Sequence, residues 1–273
     1  MPQLAHQIVE DVSKGPTHTA LVIHGIMGSK RNWLGFARRL VKQYPSWRVV
    51  LADLRNHGDS ADFSGPHTLQ ACAEDLAHLV ADLGDEPQMV VGHSFGGKVV
   101  LEYARTFASE LETLWVLDSP PGLPRPNSGT FEVRRVIEKL RQISLPIAGR
   151  TELTDEMTHL GFSKDMAGWM TTNLRPAENG YTWRFDLPGV EEMLQHYAAT
   201  DLWSVLEAPP SGLAVRVLRG ENSDRWHDED VQRLDTLAEG GRLQHHLLPR
   251  AGHWVHTDQP EALLEMLGPD LLP

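Results

Sequence analysis

The sequence predicts an α/β fold in which a mostly parallel central sheet is flanked by helices on both faces. Six short runs of apolar, often β-branched residues recur along the chain, and longer amphipathic segments separate most of them. Strands that are apolar on both faces are typical of parallel sheets buried between helices. The predicted strands are Thr19–Ile23, Trp47–Ala52, Gln88–Gly92, Thr113–Asp118, Leu213–Leu218 and Leu243–Leu248, with a weaker signal for an initial strand within His6–Val12.

The predicted helices occupy intervals between these strands. Their apolar residues recur at helical spacing, which places one face of each helix against the sheet. They span Asn32–Tyr44, His67–Leu83, Phe95–Phe107 and Asp228–Glu239, and a final helix follows Pro260.

One long interval, residues 119–212, breaks the alternation of strand and helix. It has prolines at both ends and no convincing buried strand, and its helical patterns are Phe131–Ile143, Ser163–Asn173 and Gly189–Leu206. Both flanks join core strands, so we predict a helical cap inserted between two late strands rather than a separate domain. The predicted core comprises residues 1–118 and 213–273.

Composition narrows the class of protein. The 273 residues include 25 Lys and Arg against 37 Asp and Glu, so the formal net charge is −12. A nucleic-acid-binding protein normally shows a basic face, and none is evident. The single cysteine, Cys72, cannot form an intramolecular disulfide, and neither a signal-peptide pattern nor an apolar run of ~20 residues is present. We expect a cytoplasmic monomer or homodimer without a nucleic-acid partner or a membrane span.

The strongest chemical signal is the pattern G-x-S-x-G around Ser94. It follows a predicted strand and opens a predicted helix, which is the strand–turn–helix context that exposes a nucleophilic serine. The helix N-terminus behind the serine favours a developing negative charge. A structural turn rich in glycine is the alternative, but the context favours Ser94 as a nucleophile.

A serine hydroxyl needs a base to remove its proton. His253 lies in the loop after the last predicted strand, where such a base is expected, and His256 is its local competitor. The preceding Gly252 frees the backbone for a turn, which favours His253. The consecutive His245 and His246 face opposite sides of a strand, and no cluster with metal-ligand spacing is present, so we expect no metal.

The acid that orients the imidazole has two candidates. Asp118 ends a predicted strand at the sheet edge where catalytic groups gather, whereas Asp224 follows a later strand and is next to Arg225. Both fit the chain order Ser, Asp, His. The expected oxyanion donors are two backbone N–H groups, one of Phe95 after the nucleophile and one of Ile26 after an early strand.

Four motifs resemble those of the α/β hydrolases. Within that family, they are similar to the motifs of a subgroup of small soluble cytosolic esterases. They are D-x-R-N-H-G-x-S (Asp53–Ser60), G-H-S-x-G-G-K (Gly92–Lys98), G-x-N-S (Gly220–Ser223) and G-H-W-V-H (Gly252–His256). The resemblance implies esterase or thioesterase activity without a metal or an organic cofactor. It also implies Asp118 rather than Asp224 as the acid, and Ser223 as an auxiliary hydrogen-bonding residue near His253. The continuation Asp224-Arg225-Trp226 departs from the subgroup and suggests a separate branch.

These features together predict a serine hydrolase that cleaves carboxylic esters with short-to-medium acyl groups. Part of the substrate pocket is expected to be formed by Met27, Trp169, Met170 and Trp254. The same residues fit a thioesterase, a carbon–carbon bond hydrolase or a perhydrolase, and a non-catalytic ligand-binding member of the fold is the alternative from another class.

Overall fold

The computed structural model describes residues 3–107, 111–125 and 129–272, with the backbone alone for residues 129–134. Nine strands are present in these ranges. They are β1 (His6–Val9), β2 (His18–Ile23), β3 (Trp47–Ala52), β4 (Met89–His93), β5 (Thr113–Leu117), β6 (Leu174–Ala177), β7 (Gly180–Trp183), β8 (Ala214–Gly220) and β9 (Gln244–Leu248).

Seven of the strands form the central sheet in the order β1-β3-β2-β4-β5-β8-β9. Only β1 is antiparallel to its neighbour, and every other pair is parallel. All residues of β4 and β5 are buried, as expected for the middle of a sheet that is covered on both faces. The predicted α/β class with a mostly parallel sheet is therefore confirmed.

Eleven α-helices surround or extend this sheet in the described ranges. They are α1 (Leu34–Gln43), α2 (Leu69–Leu83), α3 (Phe95–Phe107), α4 (Gly129–Leu140), α5 (Arg150–His159), α6 (Lys164–Met170), α7 (Leu187–Ala199), α8 (Trp203–Glu207), α9 (Asp228–Glu239), α10 (Val255–Asp258) and α11 (Pro260–Leu267).

The helices of the core cover the two faces of the sheet with separate apolar clusters. On one face α2, α3 and α9 contribute Leu76, Val99 and Leu234, and on the other α1 and α11 contribute Leu40 and Leu263. Local signals set the helix ends. The Thr68 hydroxyl caps the start of α2, where it accepts a hydrogen bond from the Ala71 N–H, and Gly84 ends this helix in the left-handed region.

The chain between β5 and β8, here called the insert, contains α4 to α8 and a small separate sheet. The antiparallel pair β6–β7 and helix α5 were not predicted from the sequence. The predicted helix over Gly189–Leu206 is also wrong in extent, because α7 ends at Ala199 and α8 begins at Trp203. The division of the chain into a core and a cap at residues 119 and 212 stays a prediction.

None of the helices in the described ranges is long and apolar enough to cross a membrane.

Candidate active site

Ser94 occupies the tight turn between β4 and α3. Its backbone lies in the left-handed region with φ 55°, and its N–H donates to the Leu117 carbonyl at 3.0 Å. A positive φ is costly for a residue with a side chain, and it persists here because strand and helix fix both ends of the turn. The turn leaves Ser94 partly exposed beyond the strand end, as the G-x-S-x-G pattern predicts.

The glycines on either side of Ser94 serve close packing. A Cβ on Gly92 would lie 2.5 Å from Cγ2 of Val100, and one on Gly96 would lie 2.5 Å from the His24 carbonyl oxygen. Neither glycine has a positive φ, so the left-handed conformation belongs to the serine. The glycines thus allow α3 to approach the ends of β2 and β4 without a collision.

A chain of two hydrogen bonds joins Ser94, His253 and Asp118. Nε2 of His253 is 3.0 Å from Oγ of Ser94, and Nδ1 of His253 is 2.7 Å from Oδ2 of Asp118. The competitor His256 is buried instead and stacks on Trp33 with ring centroids 4.1 Å apart. The structure thus brings together the serine, the histidine and the first of the two acids that the sequence singled out.

Gly252 does not supply a left-handed turn before His253. Its φ is not in the left-handed region, and the residue of this loop that adopts such a conformation is Arg250, with φ 60°. Gly252 instead donates its N–H to Oδ2 of Asp258 at 2.8 Å, and its chain passes close to Gly220. The loop that carries His253 is therefore positioned by hydrogen bonding and packing.

Asp118 is buried and accepts four hydrogen bonds. Oδ2 accepts from His253 and from Oγ of Ser223 at 2.6 Å, and Oδ1 accepts from the Gly220 N–H and from Nε1 of Trp226, both at 3.0 Å. Four donors compensate for the burial of a negative charge. Ser223 therefore hydrogen-bonds to the acid, and Trp226 is a further partner of the acid that the sequence did not indicate.

The alternative acid, Asp224, lies elsewhere. Its side chain is 66% exposed, and its ion-pair partner is Arg225, with Nε 3.1 Å from Oδ1. Nδ1 of His253 is already bonded to Asp118. Asp224 is therefore not brought into the chain of hydrogen bonds.

The two expected oxyanion donors lie beside the serine. Ile26 and Phe95 line a small recess together with Ser94, and neither backbone N–H donates to an acceptor in the described part of the chain. The neighbouring Met27 N–H is already used, because it donates to Nε2 of His57 at 2.9 Å. Two N–H groups thus remain next to Ser94 for an incoming oxygen.

Buried neutral histidines hold the loops around this recess. Burial lowers the pKa of His57 to about 3 and lowers the pKa of His24. His57 donates from Nδ1 to the Arg55 carbonyl, and His24 donates from Nδ1 to the Gly25 carbonyl while its Nε2 accepts from the Leu54 N–H. Each imidazole ties two backbone segments together without adding a charge.

The D-x-R-N-H-G-x-S motif holds the neighbouring loop to the rest of the molecule. Arg55 makes a bidentate ion pair with Asp75 at 2.6 and 2.8 Å. The amide of Asn56 forms two hydrogen bonds with the backbone of Asp186, at 2.9 and 2.7 Å, and so joins this loop to the insert. The motif therefore has a positioning role next to Ser94.

Lys98 joins α3 to the insert. It is fully buried, and its ammonium donates to the carbonyls of Gly122, Tyr197 and Thr200 at 2.7, 2.9 and 2.7 Å. Burial lowers the pKa of Lys98 to about 7. The three carbonyl acceptors oppose this effect and favour the protonated amine, because a neutral amine has only two N–H donors.

Two neighbouring cavities lie on this side of the site, and the smaller one is lined by Ser94. The inner one, of about 70 Å³, is lined by Met27, Trp169 and Trp254, and the outer one, of about 760 Å³, shares Trp169 and Trp254 with it. Met170 lines neither cavity, because its side chain points into the apolar core of the insert and is fully buried. The neighbouring Met166 lines both.

Residues suited to bind a metal are not grouped together in the described ranges, where no cluster of three or more His, Cys, Asp or Glu side chains could hold an ion. Cys72 is fully buried in α2, and burial raises the pKa of its thiol, so the thiolate is disfavoured.

Comparison with known proteins assigns the fold to a family. A model of the alpha/beta hydrolase family matches residues 20–266. The chain belongs to the alpha/beta hydrolase family. This confirms the family suggested by the sequence motifs.

Several curated relatives of this alpha/beta hydrolase carry the names of ester-cleaving enzymes. It is 29% identical over 248 residues to the sn-1-specific diacylglycerol lipase ABHD11 of Mus musculus, covering 89% of this chain and 77% of that protein. It is 24% identical to Esterase YbfF of Escherichia coli over 90% of each chain, and 30% identical to Lipase LipV of Mycobacterium tuberculosis over 75% of each. These relatives support hydrolase activity, and ester hydrolysis in general, for this chain.

Solved structures agree with this fold over the whole chain. A marine microorganism esterase superposes with a TM-score of 0.84 over 99% of both chains at 23% identity. A thioesterase domain from the curacin biosynthetic pathway superposes with a TM-score of 0.67 at 18% identity, over 97% of this chain and 99% of that one. At these identities the likeness shows the shared architecture.

Proposed function

We propose that this alpha/beta hydrolase is a serine esterase that cleaves carboxylic esters with short-to-medium acyl groups through an acyl-enzyme on Ser94. The observation that carries the proposal is the pair of hydrogen bonds at 3.0 and 2.7 Å that links Ser94 through His253 to the buried Asp118. This arrangement suits a nucleophile, a general base and a group that orients the base.

In the proposed first step, Oγ of Ser94 attacks the ester carbonyl carbon while Nε2 of His253 takes the hydroxyl proton. Asp118 keeps the proton of the imidazole on Nδ1 and stabilises the imidazolium. The negative charge that forms on the carbonyl oxygen is bound by the N–H groups of Ile26 and Phe95, and one such donor contributes about 10²–10³ in rate.

In the following steps, the tetrahedral intermediate collapses and the bond to the alcohol oxygen breaks. His253 returns the proton from Nε2 to the departing alcohol, which leaves an acyl group on Ser94. Water then attacks this acyl group with His253 as the base, and Ser94 recovers its proton as the carboxylic acid departs.

The preference for a limited acyl length is supported by the cavities. The space of about 70 Å³ next to Ser94 suits a short chain, and the aromatic side chains of Trp169 and Trp254 stand between it and the larger outer cavity. Apolar walls of this kind favour an acyl chain over a charged group of the same size. A long chain would have to pass these two indoles.

The proposal is tested by assaying the wild type and Ser94→Ala on p-nitrophenyl esters of increasing acyl length. Loss of Oγ should reduce kcat by roughly six orders of magnitude. The activity of the wild type should reach its maximum at short-to-medium acyl length. Ser211→Ala is the matched control, because this serine is exposed and lies outside the site. A folded Ser94→Ala variant that keeps most of its activity would refute the mechanism, and a flat or long-chain profile would refute the acyl preference.

A further inference from the structure

Arg225 is a cation next to Ser94 that the proposed mechanism does not use. It lies in the loop after β8, between Ser223 and Trp226 in the sequence. The side chains of these two residues donate hydrogen bonds to Asp118. Arg225 lines the inner cavity with Ser94 and His253, and it also lines the recess that contains the two free N–H groups. Its side chain is only 19% exposed.

The half-buried guanidinium has few hydrogen-bonding or ion-pair partners. Among the described residues, the only carboxylate within ion-pair distance is Asp224, 3.1 Å from Nε, and its geometry does not make a hydrogen bond. The two Nη atoms donate to no described residue. Asp224 is two-thirds exposed, so this pair contributes little to stability. Stabilising the fold therefore does not account for the placement of the Arg225 charge.

The charge of Arg225 is close enough to the site to act on its side chains. Burial raises the pKa of Tyr197, which lines the same recess, and the nearby Arg225 charge opposes that rise. A guanidinium offers N–H donors in a planar fork that matches the two oxygens of a carboxylate. A half-buried fork that borders the nucleophile and has unused donors is the arrangement expected for binding an anionic group of a ligand.

We propose that Arg225 binds a free carboxylate of the substrate, so that this hydrolase acts on esters that carry a carboxylate near the bond that is cleaved. The inference rests on the proposed esterase function and narrows its substrate class. The net charge of −12 disfavours the approach of anions, and a local cation such as Arg225 opposes this effect at the site. The carboxylate is carried by either the acyl half or the alcohol half of the ester.

Two pairs of esters distinguish these halves. Monoethyl succinate and ethyl butyrate differ by a carboxylate in the acyl half and release the same alcohol. Acetoxyacetate and ethyl acetate differ by a carboxylate in the alcohol half and share the same acyl group. Hydrolysis is followed by pH-stat, and for each pair the ratio of kcat/KM, anionic over neutral, is compared between the wild type and variants.

We expect Arg225→Gln to lower this ratio by about 10- to 100-fold for one of the two pairs, as for the loss of a charge-assisted hydrogen bond. Arg225→Lys keeps the charge without the fork and should fall between the two. Arg242→Gln makes the same change of net charge at an exposed position and should leave the ratio unchanged. Ratios that stay within about twofold of the wild type for both pairs in folded Arg225→Gln and Arg225→Lys would overturn the proposal.

A binding measurement separates this proposal from the esterase mechanism. Calorimetry on Ser94→Ala, with and without Arg225→Gln, measures affinity for monoethyl succinate and acetoxyacetate without turnover. A loss of affinity of about tenfold or more with Arg225→Gln supports the carboxylate site even if hydrolysis fails. Equal affinity in the two variants, together with activity that depends on Ser94, overturns the role of Arg225 and leaves the esterase proposal intact.

Discussion

Gly220 is the position where a single added methyl group should disturb the site without touching a proposed catalytic side chain. It ends β8, its N–H donates to Oδ1 of Asp118, and its Cα faces the loop that carries His253. A Cβ at this position would lie 2.7 Å from the Ala251 carbonyl oxygen and closer still to that of Gly252. Both contacts are with backbone, which cannot rotate away as a side chain could.

The size of the effect follows from these distances. Ordinary van der Waals contact begins at 3.4 Å, so the His253 loop or the end of β8 must move by roughly 1 Å in Gly220→Ala. A misplacement of about 1 Å typically reduces catalysis by about 10²-fold. Overpacking of this kind also lowers the free energy of unfolding by about 1–3 kcal/mol.

The assay is kcat/KM on a p-nitrophenyl ester, with the free energy of unfolding measured by urea denaturation of the same preparation. Gly168→Ala is the matched control, because that glycine lies in α6 with no atom within 4 Å of the added carbon. The control should keep its activity and gain stability, by about 0.5–1 kcal/mol. Folded Gly220→Ala with at least half of the wild-type kcat/KM would show that backbone contact at Gly220 does not position His253.

Two further predictions concern stability. Burial holds the folded-state pKa of His57 at about 3 and that of His256 at about 4, below the ordinary 6.5, so the unfolded chain binds more protons and stability is lost as pH falls below 6.5. Each of the two histidines should lower the free energy of unfolding by about 1.6 kcal/mol between pH 6.5 and 5 in urea titrations. His256→Phe should remove the contribution of His256, and a flat profile contradicts the prediction. Asn56→Asp places a carboxylate oxygen against the Asp186 carbonyl and should lower the free energy of unfolding by about 2–3 kcal/mol in the same assay. Asn222→Asp, at an exposed position, should lower it little. Equal effects of the two substitutions would contradict a stabilising contact between Asn56 and the insert.

The core was predicted well because local pattern and tertiary burial agree there. The bounds predicted for the strand Trp47–Ala52 and for the helices Phe95–Phe107 and Asp228–Glu239 match the structure at both ends. The strands β2, β3, β4 and β5 are buried on both faces, so their apolar runs have no competing explanation. The acidic first turn of α9 complements the helix dipole and fixes its start.

The insert was predicted less well because its elements depend on contacts between distant residues. Helix α5 buries only Leu153 and Met157, so its sequence shows almost no apolar face. The strand β6 contains Pro176, which argues against a strand by local rules. The break between α7 and α8 lies where the Lys98 ammonium donates hydrogen bonds to the carbonyls of Tyr197 and Thr200. No local sequence pattern reveals this contact.

The same contrast holds within the site. The proximity of Ser94, Asp118 and His253 could be predicted because each follows a strand at the same edge of the sheet, where the topology brings them together. The hydrogen bond from Trp226 to Asp118 could not be predicted, because it depends on how the loop after β8 folds back over the acid. The departure of this loop from the subgroup motif was the one available signal.

The buried imidazoles explain how a site with several histidines keeps a single proton acceptor next to Ser94. His24, His57 and His93 have pKa values that burial lowers, and each uses a ring nitrogen to fix backbone; His93 donates from Nε2 to the His253 carbonyl at 2.7 Å. Protonating Nε2 of His57 would set its new N–H against the Met27 N–H, which it now accepts. Acid should therefore displace the loop that presents the Ile26 N–H. Activity and tryptophan fluorescence from the adjoining inner cavity should therefore change together as the pH approaches the His57 pKa of about 3, and activity lost with unchanged fluorescence would contradict displacement of the loop.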